Sequence, residues 1–278
     1  MKRVILFIFI LLGTSNSSKA SESRVPFKLY RGYLIAVKCS VGDQQNLIAI
    51  LDTGTTETIL DFPMVNRLSL KTWADSATAV TKDTPVRGVS IPDLQLGPLR
   101  VRQLEGIAMD LTSIGQELGI RPDLVIGMDV LHRMSFVIDY KSQVITFGHA
   151  ATMAHSAALA PGLRFALIDS NVLGKPQRLQ VDTGFNGLVL FGHQPEEFAP
   201  RPPGDTGARV AGVAQTTHAR SVESPEVLVG NWRASHMMVT LLDRAPRDVT
   251  EFDGLFGPRL LGTRRVAFDF DHRMLYWD

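Results

Sequence analysis

The tripeptide Asp-Thr-Gly occurs twice, as Asp52-Thr53-Gly54 and as Asp182-Thr183-Gly184, a shift of 130 positions. The same shift carries Asp123-Leu124-Val125-Ile126-Gly127 onto Asp253-Gly254-Leu255-Phe256-Gly257. It also carries Phe136-Val137-Ile138-Asp139-Tyr140 onto Val266-Ala267-Phe268-Asp269-Phe270, and Val144, Ile145 and Phe147 onto Met274, Leu275 and Trp277. Identities are few, but apolar positions mostly meet apolar positions. One ungapped offset serving several separated blocks marks a duplication. Such a chain is expected to fold as two similar units about a pseudo-twofold axis.

The blocks read as strands. Leu47 to Leu51 and Arg178 to Val181 run apolar or alternating up to each Asp-Thr-Gly. Each half ends in a hairpin-like pair, Phe136 to Tyr140 with Gln143 to Phe147 and Val266 to Phe270 with Met274 to Trp277. Pro85, Gly88, Pro92, Gly97-Pro98, Pro225 and Gly230 read as turn punctuation. Helical signal is confined to short stretches at Phe62 to Leu68, Leu111 to Leu118 and Gly127 to Arg133. Many short strands at regular spacing predict a mainly β chain.

The N-terminus carries Lys2 and Arg3, an apolar run from Val4 to Leu12, and the small-residue triplet Ser18-Lys19-Ala20. That is the pattern of a secretory signal peptide, too short in its apolar run for a spanning helix of roughly 20 residues. The expected organisation is therefore a signal peptide over 1–20, a first lobe over 21–148, a linker over 149–162 and a second lobe over 163–278. His149 and His155 are read as solvated linker residues, and Pro200, Pro202, Pro203 and Gly204 as a loop. The expected location is outside the cytoplasm, periplasmic or extracellular, with no stable membrane insertion once the signal is removed.

Composition narrows the functional classes. A net charge of +1 in 278 residues gives no general attraction to nucleic acid. The single cysteine, Cys39, permits no intrachain disulfide and reads as core filler. The seven histidines form no His-Glu-x-x-His pattern, and no phosphate loop or dinucleotide fingerprint occurs, so no metal and no cofactor is implied.

The paired Asp residues do point to a chemistry. Direct attack of water on an amide needs a base for the water proton and an acid for the carbonyl oxygen. Two carboxyls about 3 Å apart cannot both ionise, so they share one proton and supply both roles. Thr53 and Thr183 can hydrogen-bond backbone across the seam, and Gly54 and Gly184 permit a tight turn with amides directed at the carboxylates.

With an apolar-apolar-Gly block after each loop, ending in Ile126-Gly127 and Phe256-Gly257, the layout resembles the aspartic protease clan of pepsin and the retroviral proteases. The family is the case from which the shared-proton pair is known. The short halves and Leu124-Val125-Ile126-Gly127-Met128-Asp129-Val130-Leu131 resemble retroviral-type bacterial units fused in tandem. The resemblance implies a two-lobed acid-protease fold, each lobe a retropepsin-like β-barrel, and an endopeptidase acting as a monomer on peptide or protein substrates. It implies Asp52 and Asp182 as the catalytic dyad and loop support from Ile126, Gly127, Phe256 and Gly257, whose strands cross beneath the loops. It also implies a Thr55 hydroxyl bonded to the outer oxygen of Asp52. Phe185 stands where pepsin has a second such hydroxyl, which predicts a pH optimum above pepsin's. Thr81 to Pro92 and Arg209 to Val222 are the expected flaps, the first without pepsin's Tyr. Two other readings stay open: a catalytically silent module that grips extended peptides, and a two-carboxyl glycoside hydrolase.

Overall fold

The structure is a computed structural model, and it describes residues 24–78, 83–148, 150, 152–162, 164–192, 208–211, 216–242 and 251–278. The signal-like segment 1–20, His149 and the Pro200–Gly204 stretch lie outside the described residues. The strands run β1 (Arg24–Tyr30), β2 (Leu34–Val41), β3 (Gln44–Leu51), β4 (Ile59–Asp61), β5 (Thr72–Thr78), β6 (Asp83–Leu96), β7 (Leu99–Met109), β8 (Leu124–Ile126), β9 (Phe136–Asp139) and β10 (Val144–Phe147). They continue as β11 (His155–Ala158), β12 (Leu167–Val172), β13 (Lys175–Val181), β14 (Leu188–Phe191), β15 (Ala208–Ala211), β16 (Thr216–Val229), β17 (Trp232–Leu242), β18 (Gly254–Phe256), β19 (Arg265–Asp269) and β20 (Met274–Trp277). Among the described residues three short α-helices, α1 (Phe62–Arg67), α2 (Thr112–Leu118) and α3 (Met128–Leu131), fall on the three stretches with helical signal, and a 3-10 turn covers Pro258–Leu261.

The protein is mainly β, with two closed six-stranded barrels in two lobes. The first follows the order β2-β3-β8-β4-β7-β6 and closes where β2 meets β6; the second follows β12-β13-β18-β14-β17-β16 and closes where β12 meets β16. Full closure removes the unpaired edges that an open sheet would leave. The register repeats the sequence offset. Ala49, Ile50 and Leu51 pair in parallel with Leu124, Val125 and Ile126, as Leu179, Gln180 and Val181 do with Gly254, Leu255 and Phe256.

The terminal hairpins do not stay within their halves. β9 of the first half pairs antiparallel with β19 of the second, joining both hairpins in the run β11-β20-β19-β9-β10-β1. Phe136 faces Phe268, Val137 faces Ala267 and Ile138 faces Val266. Under the 130 shift Val137 maps onto Ala267, its own partner, so the pseudo-twofold axis passes between these two residues. Phe136 and Phe268 stack there with ring centroids 4.9 Å apart, and both are fully buried with Trp277 close by in the same core.

Three local readings need correction. Pro85, Gly88 and Pro92 lie inside β6 and Pro225 inside β16, whereas Gly97-Pro98 and Gly230 do occupy turns. The ladders tolerate Pro92 and Pro225 because pairing skips them, opposite Gln103 and His236, both with left-handed backbone at φ 52° and 55°. These pairs are 133 rather than 130 positions apart, so the duplication is not ungapped through the β6–β7 region. Residues 155–158 are strand rather than linker. β11 pairs with β20, and the His155 ring stacks on Trp277 at 5.8 Å.

Candidate active site

Both Asp-Thr-Gly loops leave the ends of barrel strands, β3 and β13, and meet between the lobes. Their anchoring is the same on each side. Asp52 N donates to Ile126 O and Asp182 N to Phe256 O, each at 3.0 Å. Behind them Asp123 accepts from Ile48 N at 2.9 Å and Asp253 from Arg178 N at 2.7 Å, tying each strand pair together 75 residues apart.

The threonines join the loops. Thr53 N donates to Thr183 Oγ1 and Thr183 N to Thr53 Oγ1, each at 3.0 Å. The hydroxyls donate onward, Thr53 to Val181 O at 2.7 Å and Thr183 to Leu51 O at 3.1 Å. Both residues are buried, so these reciprocal bonds lie where an unmade one costs about 1–3 kcal/mol.

The glycines let the carboxyls meet. A Cβ on Gly54 would lie 2.3 Å from Asp182 Cγ, and one on Gly184 2.8 Å from Asp52 Cγ. Each carboxyl thus occupies the space that the opposite glycine leaves open. Gly54 N donates to Asp52 Oδ1 and Gly184 N to Asp182 Oδ1, each at 2.7 Å. Beneath the loops, Gly127 packs against the Glu57 and Thr55 carbonyls and Gly257 against the Phe185 carbonyl. Ile126 and Phe256, fully buried, fill the strands that end there.

The two carboxyls interact across the seam, and their surroundings differ. Burial raises Asp52 above the usual carboxylate range, and its interaction with Asp182 and the amides of Gly54, Gly184 and Thr55 offset only part of that. Burial pushes Asp182 well above the usual carboxylate range, the Asp52 charge and bond push it further, and the Gly184 amide opposes them. Asp182 is therefore raised further than Asp52, which makes its carboxyl the better proton holder of the two.

Thr55 differs from its sequence reading. Its hydroxyl donates to Glu57 O at 3.2 Å, a local side-chain-to-backbone bond that turns it from Asp52, and its backbone amide acts on the carboxylate instead. Phe185 is half-buried and packs in the second lobe's apolar cluster.

Two polar contacts escape the sequence reading. Thr58 donates to Asp129 from N and Oγ1, both at 2.8 Å, bracing the first loop against α3. Gln180 Nε2 crosses to the first loop, donating to Thr53 O at 3.3 Å and Gly54 O at 3.0 Å. An alternating strand puts Gln180 on the face opposite Leu179 and Val181, which reads as solvent; that face is buried instead by the other lobe.

Both lobes carry a hairpin beside the barrel. β5 and β6 pair from Thr72–Val89 to Thr78–Asp83, and β15 and β16 from Ala208–Ala219 to Ala211–Thr216. The intervening residues 79–82 and 212–215 lie outside the described residues, so the expected flaps are described only in part. The first begins earlier than Thr81, on β5, where the Trp73 ring lies over Gly88. Among the described residues, no group of three or more His, Cys, Asp or Glu side chains could hold a metal ion. Burial in the core pushes the Cys39 thiol up to about 12, which makes it a poor nucleophile.

Two closed barrels joined through paired Asp-Thr-Gly loops are the architecture of the pepsin- and retropepsin-like clan of aspartic proteases. Residues 37–130, which hold the first loop and its supporting strand, match the aspartyl protease family. No curated protein matches the chain.

Proposed function

We propose that the protein is an aspartic endopeptidase in which Asp52 and Asp182 activate water against a peptide bond. The observation that carries this reading is one carboxyl from each duplicated loop seated against the glycine of the other loop, with unequal surroundings. Asp52, ionised, takes a proton from the water as its oxygen bonds the carbonyl carbon. Asp182 gives its proton to the carbonyl oxygen. Collapse of the resulting diol returns that proton to Asp182, breaks the C–N bond and passes the Asp52 proton to the departing nitrogen. The substrate is a peptide or protein segment lying extended between the lobes. The protein works as a monomer, because both loops belong to one chain, and outside the cytoplasm, in keeping with the signal-like N-terminus. No described helix is long and apolar enough to cross a membrane.

The test is cleavage of an unfolded protein in mildly acidic buffer. Fragments should appear, a statine-type peptide should suppress them, and Asp52→Asn and Asp182→Asn should each reduce the rate by about 10³-fold or more with folding intact. Persistent cleavage by either variant would remove the dyad. A native protein that binds the statine peptide but cleaves nothing would be the silent peptide-binding module.

A further inference from the structure

Gln180 stands two residues before Asp182 on β13, buried, and its amide serves the opposite loop. Its two acceptors, Thr53 O and Gly54 O, are both carbonyls, so only the NH2 end of the amide can face them. Those carbonyls belong to two successive peptide units. The N–H of the first is that of Gly54, which donates to Asp52 Oδ1 at 2.7 Å. The N–H of the second is that of Thr55, which also favours the Asp52 carboxylate. A peptide whose carbonyl accepts a hydrogen bond is polarised and donates more strongly at its N–H. One side chain of the second lobe thus backs two donors to the carboxylate of the first.

The arrangement has no mirror image. The residue two places before Asp52 is Ile50, which has nothing to donate. The backbone around the dyad is symmetric, and this side chain is not.

We propose that Gln180 is a positioning residue that fixes the place of the proton, holding Asp52 as the ionised carboxylate and leaving Asp182 to carry the acid proton. The proposal rests on the dyad reading above. Other charges near the pair are engaged elsewhere. Asp182 itself faces Asp52; Asp129, beyond Gly127, accepts from Thr58. Glu57 interacts with Asp129, Asp75, Arg164 and Glu105. Arg259, beyond Gly257, donates to Gly32 O and Thr263 O.

The experiment compares the native protein with Gln180→Met, which keeps length and removes the donors. Carboxyl ¹³C resonances of Asp-labelled protein are titrated, with Asp52→Asn and Asp182→Asn supplying the assignments. The lower apparent pKa of the dyad should rise by about one pH unit in Gln180→Met, as expected when hydrogen bonds to an ionised group weaken. The acidic limb of kcat/KM should move with it. Gln180→Asn, with a shorter reach, should shift both in the same direction and less. An unchanged lower value in a folded variant, with only Tm reduced, would make Gln180 a structural contact and overturn the proposal. If Gln180→Met does not fold, the Asn variant decides on the same criterion. The titration needs no turnover, so absence of cleavage would sink the endopeptidase reading and leave this one standing or falling on the resonances.

Discussion

The two Asp-Thr-Gly loops have nearly the same backbone and different side-chain surroundings. Strand register, the bonds from Asp52 N and Asp182 N, and the threonine exchange all repeat across the pseudo-twofold axis. The residues one step out do not: Thr55 faces Phe185 in the alignment, Ile50 faces Gln180, Thr58 faces Leu188 and Asp129 faces Arg259. A pair of like carboxyls can share one proton in two equivalent ways, and equivalence would divide the population between them. Duplication within one chain frees the halves to diverge, so one arrangement can be favoured. The repeated bonds hold the loops together; the unrepeated ones make the two carboxyls' surroundings unequal.

Glycine replacement should break the equality most severely. Gly54→Ala and Gly184→Ala each drive a methyl into the opposite carboxyl, and activity should fall by about 10²-fold or more for displacements of this kind. The loss should be greater for Gly54→Ala, where the Cβ would approach to 2.3 Å rather than 2.8 Å. Peptidase assays on the two folded variants check the order, and a milder effect at Gly54 would refute it.

The threonines should instead behave alike. Thr53→Val and Thr183→Val each strand a buried amide and a buried carbonyl on the other strand, a cost of about 2–5 kcal/mol in urea unfolding. A difference between them as large as the effect itself would show that the symmetry of the network is only apparent.

Stability should single out Asp182, the more strongly raised of the two. Because the folded-state pKa of Asp182 is raised, the folded protein holds that proton more tightly than the unfolded chain. The dyad therefore lowers stability as pH rises above about 4, the unfolded Asp range, toward the folded value. Asp182→Asn removes this penalty, so its Tm should exceed the native value by about 3–5 °C at neutral pH and match it near pH 4. A Tm advantage that persists unchanged in acid would point to packing rather than charge.

The smallest effect belongs to position 185. Phe185→Thr offers a hydroxyl near Asp182 and removes apolar surface, so the bell-shaped pH profile should move toward acid by about half a unit. Movement toward alkali would mean that Phe185 does not govern the Asp182 surroundings.

Much of this was legible because duplication doubles every signal. Asp-Thr-Gly alone is a common turn sequence; its recurrence with apolar-apolar-Gly 75 residues on located both loops, both supporting strands and the terminal hairpins. Prolines misled because a turn residue and a skipped ladder position look alike in sequence. The left-handed backbone at Gln103 and His236, which makes room for Pro92 and Pro225, has no local sequence mark. Gln180 was hidden for a related reason. Alternation assigns a residue to one face of its own strand but does not say what covers that face, and here the cover is the other lobe. Thr55 shows the limit of carrying a role by position alone, since a neighbouring carbonyl captured its hydroxyl.

The pairing of β9 with β19 also bears on when the two aspartates can first meet. A ribosome releases the first half, complete with Asp52, well before the strand Arg265–Asp269 exists to complete the ladder beside Phe136–Asp139. The threonine exchange likewise spans 130 residues of chain. Contacts so distant in sequence form late, after both halves are available. A nascent chain therefore carries one carboxyl without its mate, and the order of the strands delays their meeting until the second half is made.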